Sequence, residues 1–226
     1  MSDADILALR EDHFGRWKNR EAIAETLIPV IGKLYRERNI IVQVYGRNLV
    51  NRSVIQILKL HRRVRMIAGE LSVVDTEPMI LALAAMTDVG SCQVDVGKLA
   101  IEYKNSDKSK SPAEFLRAAL APAIGLHTAE HPTDVVLYGF GRIGRIMARL
   151  IIEQTGSGQG LRLRAIVVRK TQEGDLAKRA SLLRRDSVHG SFDGTIAVDE
   201  ENEGIIANGN FIKVIYASKP EDVDYT

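Results

Sequence analysis

Several residue types are scarce in this sequence, and each shortage closes a class of protein. There is one cysteine, Cys92, in 226 residues, so an internal disulfide or a multi-thiolate metal site is excluded, which suits a reducing cytoplasm. Long apolar runs are missing. The longest, Met79 to Met86, falls far short of the ~20 residues of a membrane-spanning helix. The opening MSDADILALRED mixes acids among its apolar residues, so neither leader nor membrane anchor is expected. Charge of one sign is also lacking, since 31 basic residues stand against 29 acidic ones. That balance does not mark the whole chain for nucleic acid or acidic lipid. His13, His61, His127 and His131 lack metal-ligand spacing, so no metal is expected. The phosphate loop of triphosphatases and the G-x-S-x-G elbow of serine hydrolases are absent as well.

What is present is a globular composition, 45% hydrophobic and 27% charged, with room for one large domain or two small ones. Over the first 130 residues apolar side chains recur at three- and four-residue steps, which predicts an all-α extension. A first helix is expected over about 17–38, with Ile23, Leu27, Val30, Ile31 and Leu34 on one face and Pro29 as a kink. A second is expected over about 49–68, stopped by Gly69. Thr76 is read as the cap of a third, and Ser111 before Pro112 as the start of another. Between Glu37 and Glu70 there is no acid, while Arg38, Arg47, Arg52, Lys59, Arg62, Arg63 and Arg65 accumulate. On a helix Arg52, Lys59 and Arg63 fall near one another opposite the apolar side and read as a solvated face, with a partner interface or a polyanion contact as the alternative, and the lack of interleaved aromatics argues against single-stranded nucleic acid.

The pattern changes after Pro122, Gly125 and Pro132, and a domain boundary is placed near residue 130, giving an extension over 1–130 and a second domain over 131–226. Asp134 to Tyr138 reads as a strand, Arg142 to about Gln154 as an amphipathic helix, and Leu163 to Val168 as a second strand. That is a βαβ unit. A basic helix is expected over 175–184, then short strands near 195–198, 204–207 and 211–216, with Asn208-Gly209 as a hairpin turn.

Between the first strand and its helix stands Gly139-Phe140-Gly141-Arg142-Ile143-Gly144, a G-x-G-x-x-G run in the context that gives it meaning. The first glycine permits a tight turn, the second lets a pyrophosphate approach the backbone, and the third lets helix and strand pack closely. Unpaired N–H groups at the helix start then meet the phosphates. The fold class read from this is α/β, a partial Rossmann-like dinucleotide-binding domain after a helical extension. A carboxylate that would take the ribose hydroxyls of NAD is expected at the end of the second strand. Arg169, Lys170 and Thr171 stand there instead, so the cofactor is NAD or NADP with the electrostatics leaning to NADP.

Tyr138-Gly-Phe-Gly-Arg-Ile-Gly-Arg145, then Asp186-Ser-Val-His-Gly190, then the strands from Gly194-Thr195 to Tyr216, resemble the opening of the cofactor domain of phosphorylating glyceraldehyde-3-phosphate dehydrogenases. The helices before them look like the N-terminal extension of long-form bacterial members. The resemblance implies that Arg142 and Ile143 present backbone N–H groups to the pyrophosphate, and that Gly139, Gly141 and Gly144 shape the turn around Phe140. It aligns Thr171 with the family's ribose-binding aspartate, puts Tyr138 where an asparagine is usual, and makes Lys219 a candidate near the adenine. It further implies a phosphosugar aldehyde and inorganic phosphate as substrates, hydride transfer to the nicotinamide, and a homotetramer when full length. The family's catalytic cysteine and histidine segments are not found here, so the chain reads as an N-terminal fragment and no catalytic residue is assigned. A related phosphosugar-aldehyde dehydrogenase, or a non-catalytic dinucleotide-sensing module, remains open. Cys92 reads as a buried neutral thiol, and His189 as a structural residue.

Overall fold

The computed structural model describes residues 3–107, 109–126, 132–156, 160–169, 173–187 and 190–224. The chain divides into two compact units, Met1–Thr128 and Ala129–Thr226, each with its own apolar core.

In the first unit, helix α1 runs over Asp3–Arg38 with Pro29 inside it. Asn39, in the left-handed region at φ 50°, ends the helix and turns the chain into strand β1 (Ile40–Val44). Strand β2 (Arg47–Asn48) pairs antiparallel with β1, and β3 (Cys92–Asp95) pairs parallel on its other side. Helices α2 (Val54–Ala68), α3 (Val73–Ala85), α4 (Val96–Asn105) and α5 (Pro112–Ala119) complete the unit. The core gathers Leu27, Ile31 and Leu34 of α1, Ile40 and Val42 of β1, Ile57 of α2 and Ile80 and Leu83 of α3.

The region is helical in the main, but the expectation of helices alone needs correction, because a three-stranded sheet lies among them. Ile40, Ile41 and Val42 are buried in succession, and a continuously buried strand carries no alternation that distinguishes it from helix. The second helix starts at Val54 rather than Leu49, since Ser53 and Gln56 cap each other there. Thr76 is not a cap. The Asp75 carboxylate accepts from the Ser72 N–H and starts α3 earlier, while Thr76 is buried inside the helix, its Oγ1 2.8 Å from Nε2 of His61. The basic run also divides. Arg38 turns inward and donates to the carbonyls of Leu83 in the last turn of α3 and of Met86 and Val89 just beyond it, meeting acceptors at the helix terminus. Lys59 and Arg63 are exposed, as read, whereas Arg52 precedes α2 and is half-buried, its Nε donating to the Asn48 carbonyl at 3.2 Å.

In the second unit, β4 (Thr133–Tyr138), helix α6 (Arg142–Glu153) and β5 (Leu161–Val168) form the expected βαβ unit. Helix α7 (Asp175–Arg184) follows, then a short ribbon of β6 (Arg185–Asp186) and β7 (Gly190–Ser191). Strands β8 (Ile196–Asp199), β9 (Gly204–Ala207) and β10 (Asn210–Tyr216) finish a sheet of order β4-β5-β10-β9-β8. The first three strands are parallel, and β10, β9 and β8 are antiparallel neighbours. Asn208 and Gly209 both have positive φ, 48° and 80°, as a two-residue primed hairpin turn demands. Leu163, Ile166 and Val168 of β5 lie in the core with Ala148 and Ile152 of α6 and Leu176, Ala180 and Leu183 of α7.

Candidate cofactor site

The three parallel strands deliver their C-terminal ends to one edge of the sheet, where α/β folds place ligands. A cleft of about 350 Å³ opens there, lined by Tyr138, Gly139, Phe140, Gly141, Val167, Val168, Arg169 and Arg179. Its floor is the glycine turn. Gly139 has φ 92°, a conformation that L side chains rarely adopt, and its N–H donates to the carbonyl of Val167 at 2.8 Å. A Cβ at Gly144 would stand 2.5 Å from the Gly139 carbonyl oxygen, so that glycine is required by the packing of helix against turn.

Gly141 differs from both. Its φ is an ordinary −72°, and a Cβ there would meet nothing within 4 Å. The protein itself does not require glycine at this position, and the space beside it is open to a ligand lying against the backbone. Gly141 is also the N-cap of α6, and it provides no capping side chain, leaving the first-turn N–H groups available to an acceptor. The residues present therefore fit a pyrophosphate group.

Phe140 contributes its backbone only, since its side chain is buried in the core. Ile143 and Arg142 are exposed on the first turn of α6. Arg145, one turn on, lies with its guanidinium 3.9 Å from the largely buried Asp186 carboxylate, which ties the glycine turn to the Asp186 motif. Arg149 donates to the carbonyls of Leu183 at 2.9 Å and Gly190 at 3.0 Å, clamping α6 to the end of α7 and to β7. The Tyr138 hydroxyl donates to the Ser218 carbonyl at 2.7 Å, crossing the strand ends.

At the end of β5, Arg169 is exposed on the cleft wall. Lys170, Thr171 and His189 lie outside the described residues. Lys219 does not line the cleft; it is exposed and 3.9 Å from Glu221. A second cleft cation, Arg179 of α7, was not expected from sequence. Its Nη2 donates to the Arg169 carbonyl at 2.8 Å and its Nε to the buried Asp175. Tyr216 shares that carboxylate; burial first and the Asp175 charge second raise its phenol above the ordinary tyrosine range. The signal for Arg179 was its place four residues after Asp175, one turn along a helix. Cys92 belongs to the other unit, where burial raises its thiol despite the nearby Arg38. Among the described residues no cluster of ligating side chains could hold a metal ion, and no helix is long and apolar enough to cross a membrane.

Known proteins share these features. Residues 133–226 match the model of the glyceraldehyde 3-phosphate dehydrogenase NAD binding domain. A glyceraldehyde-3-phosphate dehydrogenase-like protein of Pseudomonas aeruginosa is 54% identical over 205 residues, 88% of this chain and 44% of that protein, so the likeness extends well into the first unit. Glyceraldehyde-3-phosphate dehydrogenases of Streptococcus dysgalactiae subsp. equisimilis and Giardia intestinalis are 40% and 35% identical, over 40% and 42% of this chain and 24% and 25% of their own. The chain spans less than half the length of each of these relatives. Residues 133–226 thus resemble the NAD-binding domain of the glyceraldehyde-3-phosphate dehydrogenase family, and a mainly helical region precedes them.

Proposed function

We propose that this chain is the cofactor-holding part of a phosphorylating glyceraldehyde-3-phosphate dehydrogenase, with the pyrophosphate of the dinucleotide at the turn between β4 and α6. The observation that carries the reading is Gly141, a glycine that nothing in the protein requires, at the uncapped start of a helix and on the wall of the cleft. Gly139 and Gly144 fix the turn, and the N–H groups of Arg142 and Ile143 face the phosphates. Bound there, the nicotinamide accepts the hydride when a phosphosugar aldehyde is oxidised and taken up by inorganic phosphate. On this reading Cys92, whose thiol burial raises, is not the reacting thiol, and no catalytic residue is assigned within residues 1–226. The working compartment is the cytoplasm, and the full-length protein is a homo-oligomer.

The same reading favours NADP over NAD. Arg169 and Arg179 both line the cleft at the end of β5 with no carboxylate among its lining residues, and Asp175 is bound by Arg179. A 2′-phosphate finds cations there, whereas the ribose diol of NAD finds no carboxylate among the residues that line the cleft. Lys170 and Thr171 are proposed to add to the same pocket, with Lys219 near the adenine. Calorimetric titration with NADPH and NADH tests the preference. Tighter NADPH binding that falls at least tenfold in Arg169→Ala, with NADH affinity unchanged, supports the reading. Equal affinities in the parent protein, or an Arg169→Ala effect common to both cofactors, overturns it.

A further inference from the structure

The two arginines on the cleft wall are held very differently. Arg169 is exposed at the end of β5, and among the described residues its side chain takes no hydrogen bond or ion pair. Arg179, on the second turn of α7, is fixed twice over. Its Nε donates to the Asp175 carboxylate one turn back, and its Nη2 donates to the main-chain carbonyl of Arg169 at 2.8 Å. The pair is withdrawn from solvent, with the Asp175 side chain 3% exposed and that of Arg179 12%. Those bonds use one N–H on Nε and one on Nη2, so both on Nη1 stay open while the residue still lines the cleft.

The carboxylate is anchored in turn. Asp175 opens α7 directly after Gly174, whose φ of 72° turns the chain into the helix. The Tyr216 hydroxyl, at the end of β10, hydrogen bonds to the same carboxylate. Strand β5, helix α7 and strand β10 thus converge on one guanidinium. Burying such a pair costs hydration that its attraction barely repays, so stability alone gives it little reason to stand on a cleft wall. Its effect on a ligand is larger. A free arginine surrenders rotamer freedom when it binds an anion, whereas a fork already held in one direction surrenders little.

We propose that Arg179 is the residue that distinguishes NADP from NAD in this cleft, with Asp175 as its positioning residue. The inference rests on the reading that a dinucleotide lies at the turn between β4 and α6. Bound there, the 2′-phosphate accepts a charge-assisted hydrogen bond from Nη1 of Arg179, and Arg169 adds its charge. Asp175 offsets part of the Arg179 charge but sets the direction of the fork, so its removal weakens phosphate binding, and does so only through Arg179.

The test measures Kd for NADPH and for NADH by calorimetry in the parent chain, Asp175→Asn, Arg179→Met and the double variant. The readout is the ratio of the two affinities, because damage to the shared glycine turn moves both alike. The parent should prefer NADPH. Arg179→Met should lower that preference at least about tenfold, through NADPH alone. Asp175→Asn should lower it at least about threefold in the parent and change it by less than about twofold in the Arg179→Met background. Should Arg179→Met fail to fold because Asp175 is left buried and unpaired, the double variant removes both charges and should show the same loss of preference. An unchanged preference in Arg179→Met or in the double variant overturns the inference. So does tighter NADPH binding in Asp175→Asn, or an Asp175→Asn effect of equal size with and without Arg179. A parent chain that binds neither cofactor overturns the site and the inference together. Binding that Gly141→Val abolishes, with a preference that Arg179→Met leaves intact, overturns the inference alone.

Discussion

At Gly141 an added methyl group would meet open space, while at Gly144 it would stand 2.5 Å from a backbone oxygen. These two glycines therefore separate binding from folding. Gly144→Ala is expected to destabilise the second unit by about 1–3 kcal/mol, the usual cost of overpacking, visible as a lowered thermal midpoint without cofactor. Gly141→Ala should leave that midpoint within about 1 °C. His61 allows a second prediction at this scale. It is 2% exposed, its Nδ1 lies 2.8 Å from the Ile57 carbonyl and its Nε2 faces Thr76. Burial lowers its pKa below 6.5, against smaller opposing contributions from the Ile57 hydrogen bond and the Asp75 charge. Below about 6.5 the unfolded chain takes up a proton that the folded one resists, so this contribution to stability is complete above that pH and declines as pH falls towards the lowered folded value. The slope is at most about 1.4 kcal/mol per pH unit for one proton. Urea melts of the first unit between pH 5 and 7.5 should show it, and His61→Gln should flatten it; an unchanged slope in the variant would remove His61 as the cause.

Among the elements, the hairpin joining β9 to β10 depends on Asn208 and Gly209, both at positive φ. Gly209→Ala should cost about 1–2 kcal/mol, the left-handed penalty of an L residue, and a chemical-denaturation midpoint measures it. This hairpin, the βαβ unit and α7 were legible in the sequence because their signals are local: a turn dipeptide, a glycine run, a helical period bounded by polar residues. What escaped was non-local. Strand β1 reveals itself only through its pairing with β3 some fifty residues later, and Arg38 leaves the solvated basic face only because the end of α3 comes within its reach. Arg179 was missed for a similar reason, since its place in the cleft depends on α7 returning to the end of β5. The tight turn at Gly139 and the close packing at Gly144 were readable in advance because the motif itself encodes that geometry.

For the molecule as a whole, two compact units with separate cores predict separable responses. A dinucleotide bound at the turn between β4 and α6 stabilises only the unit that holds it, by about 2.7 kcal/mol at a hundredfold excess over Kd. Hydrogen exchange should slow in β4, β5 and α6 and stay unchanged in α1 through α5. The most direct test of the central claim is a calorimetric titration of NADH and NADPH into the parent chain and into Gly141→Val. The account predicts saturable binding to the parent and a loss of at least a hundredfold in the variant, with its thermal midpoint without cofactor preserved. Equal affinity in the two proteins, or no saturable binding of either cofactor to the parent, would contradict it.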